Sequence, residues 1–237
     1  MISMDHHQLL ELFPQQNMID AFSFSGIAID HRKIEIGFLF VALKGERFDG
    51  HDYVADAFKK GAVAAIVERF VDDEIPQIVV NNTRQALADL ASYWRQKMNP
   101  LLIAITGSNG KTTVKEMLGR ILSAQRNTLM TAGNLNNDIG VPLTLFNLSN
   151  EHRYAVIEMG ANHAHEIKHL VAIAQPNVVY VNNARAAHVE GFGSLQGVVA
   201  AKGEMYQYCK DDALAVFNAD EASADGWKSD ANTRHQL

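Results

Sequence analysis

Cysteine is almost absent from this sequence. Cys209 stands alone among 237 residues, which excludes an intrachain disulfide and suits a reducing compartment. Positive charge is also scarce: Lys+Arg number 21 against 27 Asp+Glu, for a formal net charge of −6. An acidic chain is poorly matched to a phosphate backbone, so nucleic acid is not the expected partner. No uninterrupted apolar run approaches the length of a membrane span, and no membrane insertion is expected. The opening residues, Met1 to His7, have neither the basic nor the apolar region of a signal peptide. Internal repeats and low-complexity segments are missing too. With 47% hydrophobic residues, these absences point to a soluble, cytoplasmic α/β protein of one or two domains.

Strand and helix signals alternate along the chain. A short helix is expected over residues 5–13, with Leu9, Leu10, Leu12 and Phe13 as its apolar face. Strands follow over 26–30 and 38–43, then a helix over 52–60, a strand over 63–67, a charged turn over 68–74 and a strand over 77–80. Residues 1–82 thus read as a small α/β domain. Asn81, Asn82 and Thr83 carry helix-capping chemistry at a junction. The second domain, 83–237, begins with a helix over 84–98. Further strands are expected over 101–105, 128–131, 154–159, 178–182 and 213–218. Helices fall between them over 114–125, 140–146, 165–174 and 196–208. This is the pattern of a doubly wound parallel sheet, whose ligands sit at the carboxyl ends of its strands. The tail from 221 to 237 is polar and aperiodic and reads as a poorly ordered end.

The chemistry concentrates where the apolar run Leu101 to Ile105 breaks into a turn containing Gly107 and Gly110, followed by Lys111, Thr112 and Thr113. Backbone N–H groups of such a turn, with the positive end of the next helix, wrap a polyphosphate. A lysine there adds a point charge, and a threonine hydroxyl can hold magnesium. The full Walker pattern requires a glycine six residues before the lysine, where Ile105 stands, so this is a variant phosphate loop.

Polar residues also follow the neighbouring strand ends. Glu158 closes one strand, well placed for magnesium, and His188 and Glu190 follow another, within reach of the same or a second cation. Asn134, Asn136 and Asn137 form an amide-rich loop suited to phosphate or sugar oxygens. His165, Glu166 and His169 satisfy a zinc-peptidase pattern, H-E-x-x-H, with both histidines expected on one helical face and Glu190 as a possible third ligand. That motif leaves the phosphate loop unexplained, and a solvent-facing helix surface is the preferred account of it.

On these residues the chain resembles the Mur ligases, the ATP-dependent amino-acid ligases of peptidoglycan precursor synthesis. The likeness runs from about residue 26 to 220 and rests on the stretches 38–51, 106–117, 131–142, 158–163 and 187–194. Within the family, 44–49, 133–140 and 160–163 are most similar to the branch that joins D-alanyl-D-alanine to UDP-N-acetylmuramoyl-tripeptide. Folylpolyglutamate synthases share the phosphate loop but lack a UDP-binding domain like residues 1–82.

The resemblance implies a small N-terminal UDP-binding domain ahead of an incomplete ATPase domain, with ATP and Mg2+ as cofactors. ATP would phosphorylate the tripeptide carboxylate, and the dipeptide amine would displace phosphate from the acyl phosphate. ATP contacts are implied for Thr106, Gly107, Ser108, Asn109, Gly110, Lys111, Thr112, Thr113 and Asn137. Lys111 would neutralise the β and γ phosphates. Thr112 and Glu158 would hold one magnesium, and His188 a second, supported by Lys202 at the position of a carbamylated lysine. UDP-substrate contacts are implied for Asp30, His31, Arg32, Lys44, Gly45, Glu46, Arg47, Phe48, Asp49, His51, Asn134 and Asn136. A monomer is expected. The family has a third domain, which this sequence does not reach, so the chain is expected to bind the UDP substrate but to ligate poorly. A non-catalytic UDP-sugar-binding fragment and a zinc hydrolase are the alternatives.

Overall fold

The computed structural model describes residues 1–14, 21–71, 76–186 and 189–232. Its backbone packing separates two units, Met1–Trp94 with Phe146–Ser149, and Arg95–Leu145 with Asn150–Leu237.

In the first unit β1 (Met4–Asp5) leads into α1 (His6–Leu12), and β2 (Ser23–Phe24) pairs antiparallel with β1. Asp5 and Gln8 cap α1 reciprocally: Gln8 N donates to Asp5 Oδ1 at 3.0 Å and Asp5 N to Gln8 Oε1 at 3.2 Å. Next come β3 (Gly26–Ala28), β4 (Phe38–Val41), α2 (Val54–Lys59), β5 (Ala62–Val67) and β6 (Gln77–Val79). These strands form a four-stranded parallel sheet in the order β3-β4-β5-β6. All of β4 is buried, which is why its apolar run does not alternate. Phe38, Phe40, Ala65 and Val67 pack with Val54 and Ala57 of α2 in the core. The helix expected over 52–60 is shorter, because a 3-10 turn, Gly50–Tyr53, capped by Asp49, takes its first part. Of the expected charged turn, residues 72–75 lie outside the described residues.

Helix α3 (Thr83–Met98) begins where the junction was expected, with Gln85 N donating to Asn82 Oδ1 at 2.9 Å. The division between the units falls further on, between Trp94 and Arg95.

The second unit continues through β7 (Leu101–Thr106), α4 (Lys111–Ser123), β8 (Thr128–Met130), α5 (Gly140–Leu145), β9 (Tyr154–Glu158) and α6 (Glu166–Ala174). It ends with β10 (Val178–Val181), α7 (Val189–Phe192), α8 (Leu195–Gln207), β11 (Leu214–Phe217) and α9 (Ala224–Asn232). Its five strands are all parallel, in the order β11-β10-β7-β9-β8. From β7 the chain goes first to the edge strand β8 and returns to β9 between them, then crosses to β10 and β11 on the other side. The carboxyl end of β7 is therefore the switch point of the sheet, where ligands of such folds bind.

Two features of this unit depart from the sequence reading. Part of the expected irregular tail is helical: α9 buries Ala224, Trp227 and Ala231, and Trp227 Nε1 donates to Val199 O of α8 at 3.1 Å, while residues 233–237 lie outside the described residues. These three residues share one face of a helix, a period hidden by the polar residues between them. Arg95 is the second feature, a buried cation whose hydrogen bonds go to carbonyl and side-chain amide oxygens. Its Nε donates to Ala174 O at 2.7 Å, and its Nη2 to Gln175 O and Asn177 Oδ1, both at 2.9 Å. It thereby serves the carbonyl-rich end of α6, where a positive charge is favoured.

Candidate functional site

The phosphate loop leaves β7 at Thr106 and enters α4 at Lys111. Gly110 caps the helix with φ 76°, a left-handed conformation, and a Cβ there would stand 2.7 Å from Asn182 Nδ2. Gly107, at φ 152°, is also close to this residue: a Cβ there would stand 3.0 Å from Asn182 Cβ. The α4 helix accordingly starts earlier than the expected residue 114, and its N-terminus faces the loop directly.

The segment after β10 braces the loop. Ser108 N donates to Asn183 O and Asn109 N to Asn183 Oδ1, each at 3.0 Å. Asn182 Nδ2 returns a bond to Asn109 O at 2.8 Å. Lys111 Nζ folds back onto Gly107 O at 2.8 Å. Burial lowers the pKa of Lys111, while the charge of Glu158 opposes that shift.

Glu158 ends β9, beside β7, and is 2% exposed. Its Oε2 accepts from Thr112 Oγ1 and its Oε1 from Asn136 Nδ2, both at 2.9 Å. Thr131 orients the same residue by accepting Glu158 N at 2.9 Å. Lys111, Thr112, Thr113, Asn134, Asn136 and Glu158 share with the phosphate loop a cavity of about 380 Å³. A carboxylate and a hydroxyl in contact, with amide oxygens nearby, are a hard-donor set of the kind that fits magnesium.

The remaining expected residues of this unit fall elsewhere. Thr106 is buried, its hydroxyl donated to Met159 O at 2.7 Å, away from the cavity lining. Asn137 caps α5, accepting Gly140 N at 2.8 Å. His188 lies outside the described residues, and Glu190 is exposed on α7. Lys202 is 3% exposed on α8. Burial, then the charge of Lys111, pulls its pKa down to about 8 against the opposing pull of Glu166 and Glu204.

The zinc reading is corrected by the backbone. His165 precedes α6 with φ 70°, so the two histidines do not share a helical face. Glu204, from α8, accepts His165 N at 2.7 Å and Lys168 N at 3.0 Å. Glu166 accepts Asn162 N at 2.6 Å. The carboxylates cap the amide-rich start of α6. Among the described residues no group of three or more His, Cys, Asp or Glu is placed to hold a metal.

In the first unit the expected substrate residues form two turns. Asp30 caps the turn His31–Lys33 and receives Arg32 Nη2 at 2.8 Å, bonds that hold its carboxyl well below the usual range. The ring of His31 stacks on Tyr53 with centroids 4.4 Å apart. The backbones of Lys44 and Asp49 pair in an isolated antiparallel β-bridge, Gly45 N donates to Phe48 O at 3.0 Å, and Phe48 is exposed. Glu46 and Arg47 are exposed in the same turn. His51 is different: it is buried, its Nδ1 against Asp49 and its Nε2 accepting Glu68 N at 2.7 Å. Both ring nitrogens are engaged, so His51 holds the loop together instead of presenting itself to a ligand. Burial raises the Asp49 pKa, but bonds from His51 and Arg69 outweigh it and hold the carboxyl at about 2.

Residues 105–236 match the model of the Mur ligase middle domain. The chain belongs to the Mur ligase family. Residues 23–95 also match a second model, that of the Mur ligase family catalytic domain. Among curated Mur ligases, the UDP-N-acetylmuramoyl-tripeptide–D-alanyl-D-alanine ligase of Escherichia coli K12 is 47% identical over 99% of this chain and 52% of its own length. The ligase of that name from Haemophilus influenzae is 48% identical over 86% of this chain and 46% of its length. A crystal structure of MurF from Acinetobacter baumannii superposes with a TM-score of 0.91 at 42% identity, over 97% of this chain and 51% of that one. MurF from Thermotoga maritima, in complex with ADP, gives 0.78 at 32% identity, over 88% and 48%. The chain thus spans about half the length of the Mur ligases it matches.

Sequence reasoning missed Thr131, Asn182 and Asn183 as organisers of the Mur ligase site. Their signal was position: Thr131 and Asn182 immediately follow strands of the sheet that holds the phosphate loop, and Asn183 comes one residue later.

Proposed function

We propose that this chain carries the nucleotide site and the UDP-substrate site of an ATP-dependent amide ligase that joins D-alanyl-D-alanine to UDP-N-acetylmuramoyl-tripeptide. The observation that carries the reading is the contact between Thr112 at the start of α4 and buried Glu158, beside the phosphate loop at the sheet's switch point. The names of the relatives supply the substrates.

The amides opening α4 would receive the phosphate oxygens of ATP, and Lys111 would turn from Gly107 O to neutralise them. Thr112 and Glu158 would hold magnesium, which when bound would supply positive charge to offset that of the phosphates. Asn136 and Thr131 keep the Glu158 carboxylate oriented for that task. These groups align two anions, the tripeptide carboxylate and the γ phosphate, that otherwise repel. A carboxylate oxygen takes the phosphoryl group and ADP leaves. The dipeptide amine then forms the amide as phosphate departs. Lys202, buried and with a lowered pKa, is suited to carbamylation, which would turn a cation into an anion able to support a second metal. In the first unit the exposed turns at Asp30 to Arg32 and at Lys44 to Phe48 are the proposed contacts for the UDP-sugar.

Isothermal titration of the chain with MgADP, and separately with the UDP-linked tripeptide, tests the reading. Both are expected to bind, and Lys111→Ala is expected to weaken MgADP by about a hundredfold, roughly 2.7 kcal/mol, without affecting the second ligand. Failure of both ligands to bind the wild-type chain overturns it.

A further inference from the structure

We propose that Arg185 and Glu221 form a positioning pair that sets the phosphate loop for its nucleotide, an inference resting on the ligase reading above. The hydroxyl of Ser108 is held by one residue from both sides: it donates to Arg185 O at 3.0 Å and accepts Arg185 N at 2.9 Å. The guanidinium of Arg185 in turn reaches back toward the end of the chain. Its Nη1 donates to both carboxylate oxygens of Glu221 at 2.7 Å, and to Ala184 O at 2.9 Å. The Glu221 side chain is 1% exposed, against 56% for Arg185. A carboxylate withdrawn that far from water requires a cation, and Arg185 provides it.

Glu221 is itself fixed. It lies in the turn between β11 and α9, donating its N–H to Asn218 O at 3.1 Å and accepting Ala224 N at 2.9 Å. Helix α9 is anchored on α8 through Trp227. The path runs from α9 through Glu221 and Arg185 to Ser108. Neither charged residue lines the cavity. Their effect passes through Ser108, which does, in a loop whose glycines leave its conformation dependent on outside bracing. The polar tail thereby acquires a role at the nucleotide site.

The test measures MgADP affinity by calorimetry on the full chain, with the UDP-linked tripeptide as the control ligand for the other unit. Arg185→Ala and Glu221→Gln are each expected to weaken MgADP about fivefold to tenfold, the effect of one or two lost hydrogen bonds. The double variant is expected to be no worse than either single, and Arg185→Lys to recover most of the loss. Ser108→Ala, which keeps the ion pair and cuts its link to the loop, is expected to reproduce the defect even if a variant with unpaired Glu221 fails to fold. Affinity for the tripeptide nucleotide stays within twofold throughout. MgADP affinity unchanged in Arg185→Ala and Ser108→Ala overturns the proposal while leaving the ligase reading intact. Fully additive losses in the double variant also overturn it. A wild-type chain that binds no MgADP overturns the ligase reading and this inference with it.

Discussion

Replacing Arg95 by methionine keeps most of the side chain's volume and removes its charge and all of its donors. Three short bonds of 2.7, 2.9 and 2.9 Å disappear, with a weak fourth of 3.4 Å from Nη1 to Asn99 Oδ1 that adds little. Hydrogen bonds to a charged group contribute about 1.5–3 kcal/mol each, so the gross loss is roughly 5–9 kcal/mol. Offsetting this is the cost of holding a guanidinium at 1% exposure, visible as a lowered pKa caused by burial. That cost amounts to several kcal/mol, and breaking a buried charged interaction nets about 3–5 kcal/mol. With an m-value of about 2 kcal/mol/M, the urea midpoint should fall by about 1.5–2.5 M. Trp94 belongs to the first unit and Trp227 to the second. Fluorescence of a Trp94→Phe background therefore follows the unit in which all these acceptors lie. A midpoint shift under about 0.5 M with an unchanged m-value would refute the assignment of Arg95 as the clamp on the end of α6.

Three further outcomes follow from the same geometry. Glu158→Gln should weaken nucleotide binding at least tenfold in magnesium and have little effect in excess chelator; equal losses in both would place Glu158 outside the metal site. Asp49, held at about 2 in the fold against 3.8 as a free carboxylate, has a depressed folded pKa. Its contribution is therefore present above pH 3.8 and is lost as pH falls toward 2, about 2 kcal/mol in all. Asp49→Asn should flatten that part of the acid-unfolding profile, and a profile parallel to wild type would count against the pairing with His51. Trp227→Ala should cost about 3–5 kcal/mol in the second unit and raise amide exchange across α9; exchange unchanged there would mean that α9 does not depend on its indole.

Long-period information was legible in the sequence. The alternation of apolar strands with amphipathic helices, and a glycine turn at the end of one such strand, were enough for a doubly wound sheet with a phosphate loop, because burial on both faces leaves an unmistakable apolar run. Asn82 announced its helix through local capping chemistry. Contacts made by distant residues were not legible. Pairing of Met4 with Phe24 involves strands of only two residues, too short to show a period. His51 looked like a ligand because its partners, Asp49 and Glu68, come together only when the loop folds onto β5. The H-E-x-x-H pattern failed for a related reason: Glu204, which caps the start of α6, comes from another helix. Arg95 carried no motif at all, since carbonyl oxygens, unlike carboxylates, leave no trace in side-chain identity.

The strand order also ranks the parts of the site by persistence. The phosphate loop, Glu158 and the bracing residues Asn182 and Asn183 follow the three innermost strands, β7, β9 and β10. The amide loop with Asn134 and Asn136 follows β8, a three-residue strand at the sheet's margin. Local opening starts at margins and reaches interior strands last. Under mild denaturant the amide loop should therefore let go first, leaving a site that still recognises phosphate but no longer discriminates what the phosphate is attached to.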